Sequence, residues 1–240
     1  MYDNTQRNFL FFIFLFYLVI GLDAQEILLE RNFQNSVISK KTGINYKSFG
    51  YLFINYQVYA LKSSSDLDIE TLKSHNYSFG YRRVYRVTDL YSVLGGLSFF
   101  NDSYTIHQGV DKTFPTSQIH ESERVVTYNF SGEFYNRFIL KKEYDCFGLF
   151  LDFGAYISAS VASRHKMFDT SYDPGFYGKT QELKVKGLKY IEPITYGLSF
   201  RFGYNRIAMV VHHRLSNWIK PSYGFAQPPK TSVGLELSLY

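Results

Sequence analysis

The chain has 240 residues, with 26 Lys and Arg against 21 Asp and Glu, and a formal net charge of +5. The positive charge is spread along the chain without a run of five like charges, so the composition does not indicate a nucleic-acid partner. A single cysteine, Cys146, excludes an internal disulfide. The 23 Phe and 22 Tyr residues are the compositional outlier, and such a chain with many short strands is typical of β-barrels or sandwiches.

The first residues have the order of a secretory signal peptide. Arg7 precedes an apolar run from Phe9 to Gly21, and the small residue Ala24 follows. A membrane anchor is the alternative, but the run is shorter than the roughly 20 residues that a spanning helix needs. We therefore expect cleavage near Ala24, a short periplasmic lead segment over residues 25–46, and a folded domain over residues 47–240.

Eight later segments alternate between apolar and polar residues. This period of two places successive side chains on opposite faces and predicts β-strands. The last segment ends on Tyr240 without a polar tail. An unpaired terminal edge invites aggregation, so we expect the last segment to pair with the first and close the sheet. The predicted strands are Ser48–Ala60, His75–Val87, Tyr91–Asn101, Glu123–Asn136, Phe147–Val161, Ile194–Gly203, Arg206–Ser216 and Thr231–Tyr240.

Short and long connections alternate strictly between these segments. Short turns and long external loops on opposite ends are typical of outer-membrane barrels. The sequence thus predicts an all-β fold, an eight-stranded antiparallel up-and-down transmembrane β-barrel with four long external loops and short periplasmic turns. The short connections are Thr88 to Leu90, Lys141 to Asp145 and Gly203 to Arg206, and the long ones are Leu61–Ser74, Asp102–Ser122, Arg164–Glu182 and Asn217–Lys230.

Periodicity alone does not say which face points inward, so an exported soluble barrel stays open as the alternative. Three features favour lipid on the outside. The polar faces are rich in Gly, Ser and Thr, which suit a narrow interior, and the strands exceed the roughly 9–11 residues that cross a bilayer. Tyrosines near strand ends also predict an interfacial girdle, formed by Tyr51, Tyr56, Tyr59, Tyr77, Tyr85, Tyr91, Tyr135 and Tyr204.

The second half of the chain resembles a known family. Residues 196–208 (YGLSFRFGYNRIA), 213–217 (HRLSN), 151–156 (LDFGAY) and the closing VGLELSLY are similar to Bacteroidetes-type outer-membrane β-barrel proteins, the PorT-like or porin family. The resemblance covers mainly residues 120–240 and implies an integral barrel in a bacterial outer membrane. The apolar PorT-like strand with an internal proline is absent, since Val125–Phe134 occupies its place without one. No secretion-system role and no functional residue is therefore carried over.

Five charged residues fall on the polar faces of the last predicted strands. Charges inside a narrow barrel must be paired, because an isolated buried ion costs several kcal/mol. We expect Glu236 to pair with Arg214. The group is interpreted as a structural network that fills the lumen, with the selectivity lining of a small pore as the alternative. Its members are Glu133, Asp152, Arg201, Arg214 and Glu236.

Aromatic residues in two Gly- and Pro-containing loops are candidates for contact with a surface partner or with lipid headgroups. They are Tyr172, Phe176, Tyr177, Trp218, Tyr223 and Phe225. The other predicted partners are outer-membrane lipid and the barrel-assembly machinery, which would engage the C-terminal strand. A small solute is an alternative to a surface protein.

No catalytic residue, metal site or cofactor is predicted. His212 and His213 point to opposite faces of one strand and cannot hold a metal together. No Gly-x-Ser-x-Gly motif is present. The predicted function is therefore a structural or surface-interaction barrel and not an enzyme, with a narrow solute channel and a lipid-modifying enzyme as alternatives.

Overall fold

Antiparallel strands make up most of the chain that the structure describes. This computed structural model describes residues 47–61, 67–143, 146–171 and 178–240, which belong to one compact unit. The predicted signal peptide (1–24) and lead segment (25–46) lie outside the described residues. The all-β class is confirmed within these ranges, which contain no α-helix.

Nine strands and two short 3₁₀ turns are present in these ranges. The turns are Thr71–Lys73 and Pro221–Tyr223. No helix in the described ranges has the length and apolar character to cross a membrane. The strands are β1 (Ser48–Leu61), β2 (His75–Arg86), β3 (Tyr91–Ile106), β4 (Ser122–Glu143), β5 (Cys146–Ser171), β6 (Lys179–Lys186), β7 (Ile194–Tyr204), β8 (Ile207–Arg214) and β9 (Thr231–Leu239).

Eight of the nine strands form a closed ring. The sheet runs β4-β3-β2-β1-β9-β8-β7-β5-β6, and a further pairing between β4 and β5 closes it. The predicted pairing of the last strand with the first is confirmed, with Ile54 opposite Leu237. Closure removes the unpaired edges that the eight ring strands would otherwise have.

The ring has a turn end and a loop end. Connections 87–90 and 205–206 lie at the turn end, and connections 67–74, 107–121, 187–193 and 215–230 lie at the loop end. The eight predicted strands form the ring, but the prediction of a loop over Arg164–Glu182 is wrong. There β5 continues to Ser171, and the chain returns as β6, which pairs with β5 from Arg164 to Ser171. This hairpin carries charge on its outward face, so it lacks the apolar alternation of the other strands.

The two faces of the ring differ in polarity. In β1, Phe53, Asn55 and Gln57 are at most 1% exposed, whereas Leu52 and Ile54 are more than half exposed. The same alternation continues around the ring, so that buried Ser, Asn, Gln, Arg, Asp and Glu side chains line its interior. Exposed aliphatic and aromatic side chains cover its outside, which is the reverse of the usual distribution in water.

The tyrosines of the predicted girdle divide between the two faces of the ring. Tyr56, Tyr77, Tyr85 and Tyr204 are exposed on the outside of the ring. Three of the other predicted girdle tyrosines are buried inside the ring, namely Tyr51, Tyr59 and Tyr135.

Candidate functional site

A layer of six charged side chains crosses the ring interior, nearer its turn end than its loop end. Three are arginines and three are carboxylates, so their formal charges balance. Each side chain is at most 5% exposed. We call this group the charged layer, and its members are Arg82, Glu133, Arg137, Asp152, Arg201 and Glu236.

The charged layer is one continuous chain of ion pairs. Arg201 joins Asp152 (Nη1–Oδ2, 3.1 Å) to Glu236 (Nη2–Oε1, 2.7 Å). Arg82 in turn joins Glu236 (Nη1–Oε1, 2.6 Å) to Glu133 (Nη2–Oε2, 2.8 Å). Arg137 binds Asp152 in a two-point contact, with its Nε and Nη2 at 2.8 and 2.9 Å from the two carboxylate oxygens. Such forked pairs are among the strongest hydrogen bonds in proteins.

The strand register accounts for these contacts. Arg137, Asp152 and Arg201 lie directly opposite one another on β4, β5 and β7, at the separation where cross-strand side chains interact. Four residues along β4 from Arg137, Glu133 belongs to another cross-strand row, in which Gly96 lies between it and Arg82. A Cβ at Gly96 would come within 2.7 Å of the Arg82 Cγ, so the glycine leaves the space through which Arg82 reaches Glu133.

Aromatic rings and hydroxyls support the charged layer. The Arg82 guanidinium lies 3.5 Å from the centroid of the Phe53 ring, and that of Arg137 lies 3.9 Å from the Phe150 centroid, which are cation–π distances. The Ser98 hydroxyl donates to Glu133 Oε1 at 2.7 Å. The buried charges are therefore held by several contacts each, as their desolvation requires.

Four of the five predicted interior charges belong to the charged layer, and Arg214 does not. The expected pairing of Glu236 with Arg214 is wrong, because Glu236 lies opposite Ala208, six residues or about 20 Å along β8 from Arg214. Arg214 instead donates to the Tyr104 hydroxyl and to the Pro228 carbonyl, each at 2.9 Å.

Two arginines of the charged layer were missed by sequence reasoning. Arg82 lies on the polar face of its predicted strand but was not grouped with the other charges. Arg137 lies one residue beyond the predicted end of its strand at Asn136. Its parity matches that of Glu133 on β4, and this match is the signal that could have found it.

Apolar clusters close the interior at both ends. At the turn end, Tyr240 packs on Phe147, with ring centroids 4.6 Å apart, and Phe147 packs on Phe49 and Phe150. Tyr240 has the same parity along the chain as the buried Glu236 and Ser238, so it points inward like them. At the loop end, Trp218 packs on Tyr104 at 4.7 Å. We call the loop-end cluster the cap, and its members include Leu67, Ile69, Tyr104, Phe114, Ile191, Trp218 and Ile219.

A small polar cavity separates the charged layer from the cap. Its volume is about 40 Å³, enough for a few water molecules, and Asp102, Tyr156 and His212 are among its lining residues. Asp102 Oδ1 accepts hydrogen bonds from the Tyr59 hydroxyl and from Asn76 Nδ2, both at 2.6 Å. The buried Nε2 of His212 has no hydrogen-bond partner among the described side chains.

A second polar cluster holds the 107–121 connection at the loop end. Buried Glu123 lies 2.5 Å from His165 Nε2, accepts from Gln108 Nε2 at 3.0 Å, and pairs with Lys112. Burial alone would raise the pKa of Glu123, but the hydrogen bonds from His165, Lys112 and Gln108 outweigh it and hold the pKa below its usual value. Glu123 is thus an ionised anchor for this loop at neutral pH.

The predicted loop contacts have different environments. Trp218 is buried in the cap with 2% exposure, so its expected place on the surface is wrong. Phe225 is half-buried and packs on Phe114 at 5.0 Å. Tyr223 is exposed, so it remains a candidate for contact with a surface partner or with lipid headgroups. Tyr172, Phe176 and Tyr177 lie outside the described residues.

The described side chains contain no group of three or more His, Cys, Asp or Glu residues arranged to hold a metal ion. No family model matches the chain, and no curated protein matches it in sequence. The site is therefore interpreted from its geometry alone.

Proposed function

We propose that the closed ring is an integral β-barrel of a bacterial outer membrane, with a structural or surface-interaction role and no catalytic one. The inverted polarity of its two faces carries this proposal. The charged layer lies inside, and the outside exposes apolar side chains on every strand of the ring. They include Leu52, Phe79, Leu97, Phe130, Ile157, Leu198, Met209 and Leu235.

The apolar surface suits lipid better than water. Soluble monomers rarely expose apolar patches larger than a few hundred Å², whereas outer-membrane barrels carry an apolar band about 25 Å tall. On β7 the exposed apolar residues run from Ile194 to Tyr204. Ten residue steps span about 33 Å along a strand, or about 25 Å in height at a strand tilt of about 40°.

Ring closure supports the same proposal. A backbone in lipid must satisfy its own hydrogen bonds, and only helices and closed sheets do so. The closing β1–β9 and β4–β5 pairings meet this condition. The resemblance to PorT-like proteins and the predicted signal peptide are consistent with export to an outer membrane, where the β9 strand would engage the assembly machinery.

A closed interior favours a structural or interaction role over a channel. The charged layer is paired throughout, and apolar clusters lie above and below it. Solutes would have to displace both clusters and the ion pairs. Exposed loop residues such as Tyr223 are the candidates for contact with a surface protein.

Heat-modifiable migration of the expressed protein tests the proposal. We expect an outer-membrane band that resists alkaline extraction and migrates faster before boiling than after it. Extraction into the soluble fraction, or a band that never shifts on boiling, would contradict membrane integration.

Planar-bilayer recording and lipid analysis test the alternatives. A closed barrel gives no conductance steps, whereas ohmic steps that change in Arg201→Ala would favour the channel. Lipid A of altered mass in expressing cells would favour the enzyme.

A further inference from the structure

An apolar groove lies on the outside of the ring across β2, β3, β4 and β5. Its volume is about 520 Å³, and Leu97, Phe99, Phe130 and Ile157 form its walls. Phe99 is paired in register with Phe130, and Leu97 with Gly132. A Cβ at Gly132 would meet only Ile157 Cγ2, at 3.9 Å, so the groove exists because this position lacks a side chain.

A cationic patch lies on the same wall, towards the loop end. It consists of two cross-strand rows, Arg124–Lys166–Lys184 and Arg164–Lys186, on β4, β5 and β6. These residues alternate along β5 with the buried Ser163 and His165, so they face outward. Five cations thus occupy adjacent positions outside the ring.

One carboxylate accompanies the patch. Glu182 Oε2 lies 2.5 Å from Lys184 Nζ, and its Oε1 lies 3.6 Å from Lys166 Nζ. The patch therefore keeps a formal excess of four positive charges.

The spacing of the groove and the patch matches an amphiphile. Arg164 lies five residues beyond Ala159, a lining residue of the groove. A bulge between them reduces this to four register steps, or about 13 Å along the sheet. The residues between them are uncharged: Ser160, Val161, Ala162 and Ser163. The Arg164 guanidinium also lies 5.2 Å from the centroid of the Tyr128 ring, which joins the cationic and aromatic surfaces.

We propose that this wall binds an anionic lipid of the surrounding membrane, with an acyl chain in the groove and the phosphate headgroup against the cationic patch. The proposal rests on the proposed function, because the groove faces acyl chains only if the ring spans a bilayer. Charge complementarity selects the occupant. Clustered Lys and Arg side chains beside a membrane attract anionic headgroups, and guanidinium groups bind phosphate through two parallel hydrogen bonds.

Native mass spectrometry of the reconstituted protein tests this binding. The protein is placed in bilayers of phosphatidylcholine and phosphatidylglycerol in equal amounts, and the retained lipids are counted. We expect the wild type to retain phosphatidylglycerol about tenfold over phosphatidylcholine. The double variant Lys166→Gln/Lys184→Gln should lose most of this preference, since each surface cation contributes to anionic-lipid attraction.

Two groove variants and one control complete the test. Gly132→Leu and Ala159→Leu fill the groove and should lower retention of both lipids alike. Lys73→Gln removes an exposed lysine at the loop end beside β2, paired with Glu70, and should change nothing.

The outcomes separate this inference from the proposed function. Equal retention of both lipids by the wild type, or unchanged preference in the double variant, overturns the lipid site while leaving a protein that inserts and shifts on boiling. Failure to insert at all overturns the proposed function instead. The boiling shift of each variant also shows whether it has folded.

Discussion

Two regions of the ring interior are buried to the same degree but are built in opposite ways. Arg201 and Glu236 in the charged layer are at most 1% exposed, and Trp218 and Ile219 in the cap at most 2%. The charged layer comes from five strands of the ring, whereas the cap joins residues of the loops to inward-facing residues at the strand ends. The first is held by ion pairs and the second by apolar packing.

Because they are built differently, the two regions stabilise different parts of the fold. Ion pairs of the charged layer run from strand to strand, so losing one leaves a charge uncompensated inside the ring. Cap contacts mainly join loops such as those of Phe114, Ile191 and Trp218, so losing one leaves a cavity under the loops. We expect damage to the charged layer to destabilise the whole ring, and damage to the cap to open the loops.

The largest effect is expected for Arg201→Ala. It removes the arginine that joins Asp152 to Glu236, and breaking a buried pair from one side costs about 3–5 kcal/mol. The free energy of unfolding, measured by urea titration with the boiling shift as readout, should fall by this amount. Arg83→Ala, which removes an exposed arginine of the outward face, should cost less than about 1 kcal/mol. Equal losses in the two variants would show that the charged layer does not stabilise the ring.

Trp218→Ala should open the loops while the ring stays folded. Truncating a buried Trp costs about 3–5 kcal/mol, and here the loss is local because the cap lies above the strands. Hydrogen exchange of the Lys220 amide, which donates to the Tyr190 carbonyl, should become on the order of 100-fold faster, at about 1.4 kcal/mol per tenfold. The boiling shift should persist, and its loss would contradict the separation of the two regions.

Glu123→Gln should lower the free energy of opening the 107–121 connection by about 2 kcal/mol, the value of a charge-assisted hydrogen bond. Lowering the pH should act on the wild type in the same direction. The pKa of Glu123 in the folded state lies below its usual value. The stability that Glu123 contributes is therefore complete at a pH above the usual pKa, and it is lost as the pH falls through the folded-state pKa. Hydrogen exchange of residues 107–121, corrected for the intrinsic effect of pH, measures both.

The variant supplies the control for this pH dependence. Exchange in Glu123→Gln should be faster at neutral pH and should change less on acidification. If the variant and the wild type respond equally to acid, another group is responsible for the loop's pH dependence.

The smallest effect is expected for Tyr223→Ala. Tyr223 lies in the same loop as Trp218 but is exposed, and surface substitutions usually stay within about 0.5 kcal/mol. Hydrogen exchange of the Lys220 amide should remain within about twofold of the wild type. A large acceleration would mean that the loop depends on more than its buried tryptophan.

The sequence alone located the ring strands, but it did not locate where the strands end at the loop end. Alternation located the starts of all eight ring strands within one residue, because each has one polar and one apolar face. It failed beyond Asn101, where residues 102–106 are all buried and alternation disappears. The 67–74 connection covers this part of β3, with Ser74 Oγ accepting from the Thr105 backbone at 2.9 Å.

Four of the six members of the charged layer were predicted, but their pairing was not. Parity alone assigned Glu133, Asp152, Arg201 and Glu236 to the interior. The pairs depend on the register between strands, which determines that Asp152 faces Arg201 and that Glu236 is far from Arg214. Burial of Trp218 was not predictable, because it depends on loops that converge from distant parts of the sequence.

The chain's single tryptophan provides the most direct measurement of the central claim, that the apolar outside of the ring lies in lipid. Trp218 is in the cap, whereas Phe130 is exposed on the outside of the ring. Fluorescence is recorded in bilayers with brominated acyl chains for the wild type and for Trp218→Phe/Phe130→Trp. We expect strong quenching of the tryptophan at position 130 and little quenching at 218. Quenching at 130 by aqueous iodide, with none by the brominated chains, would contradict the account.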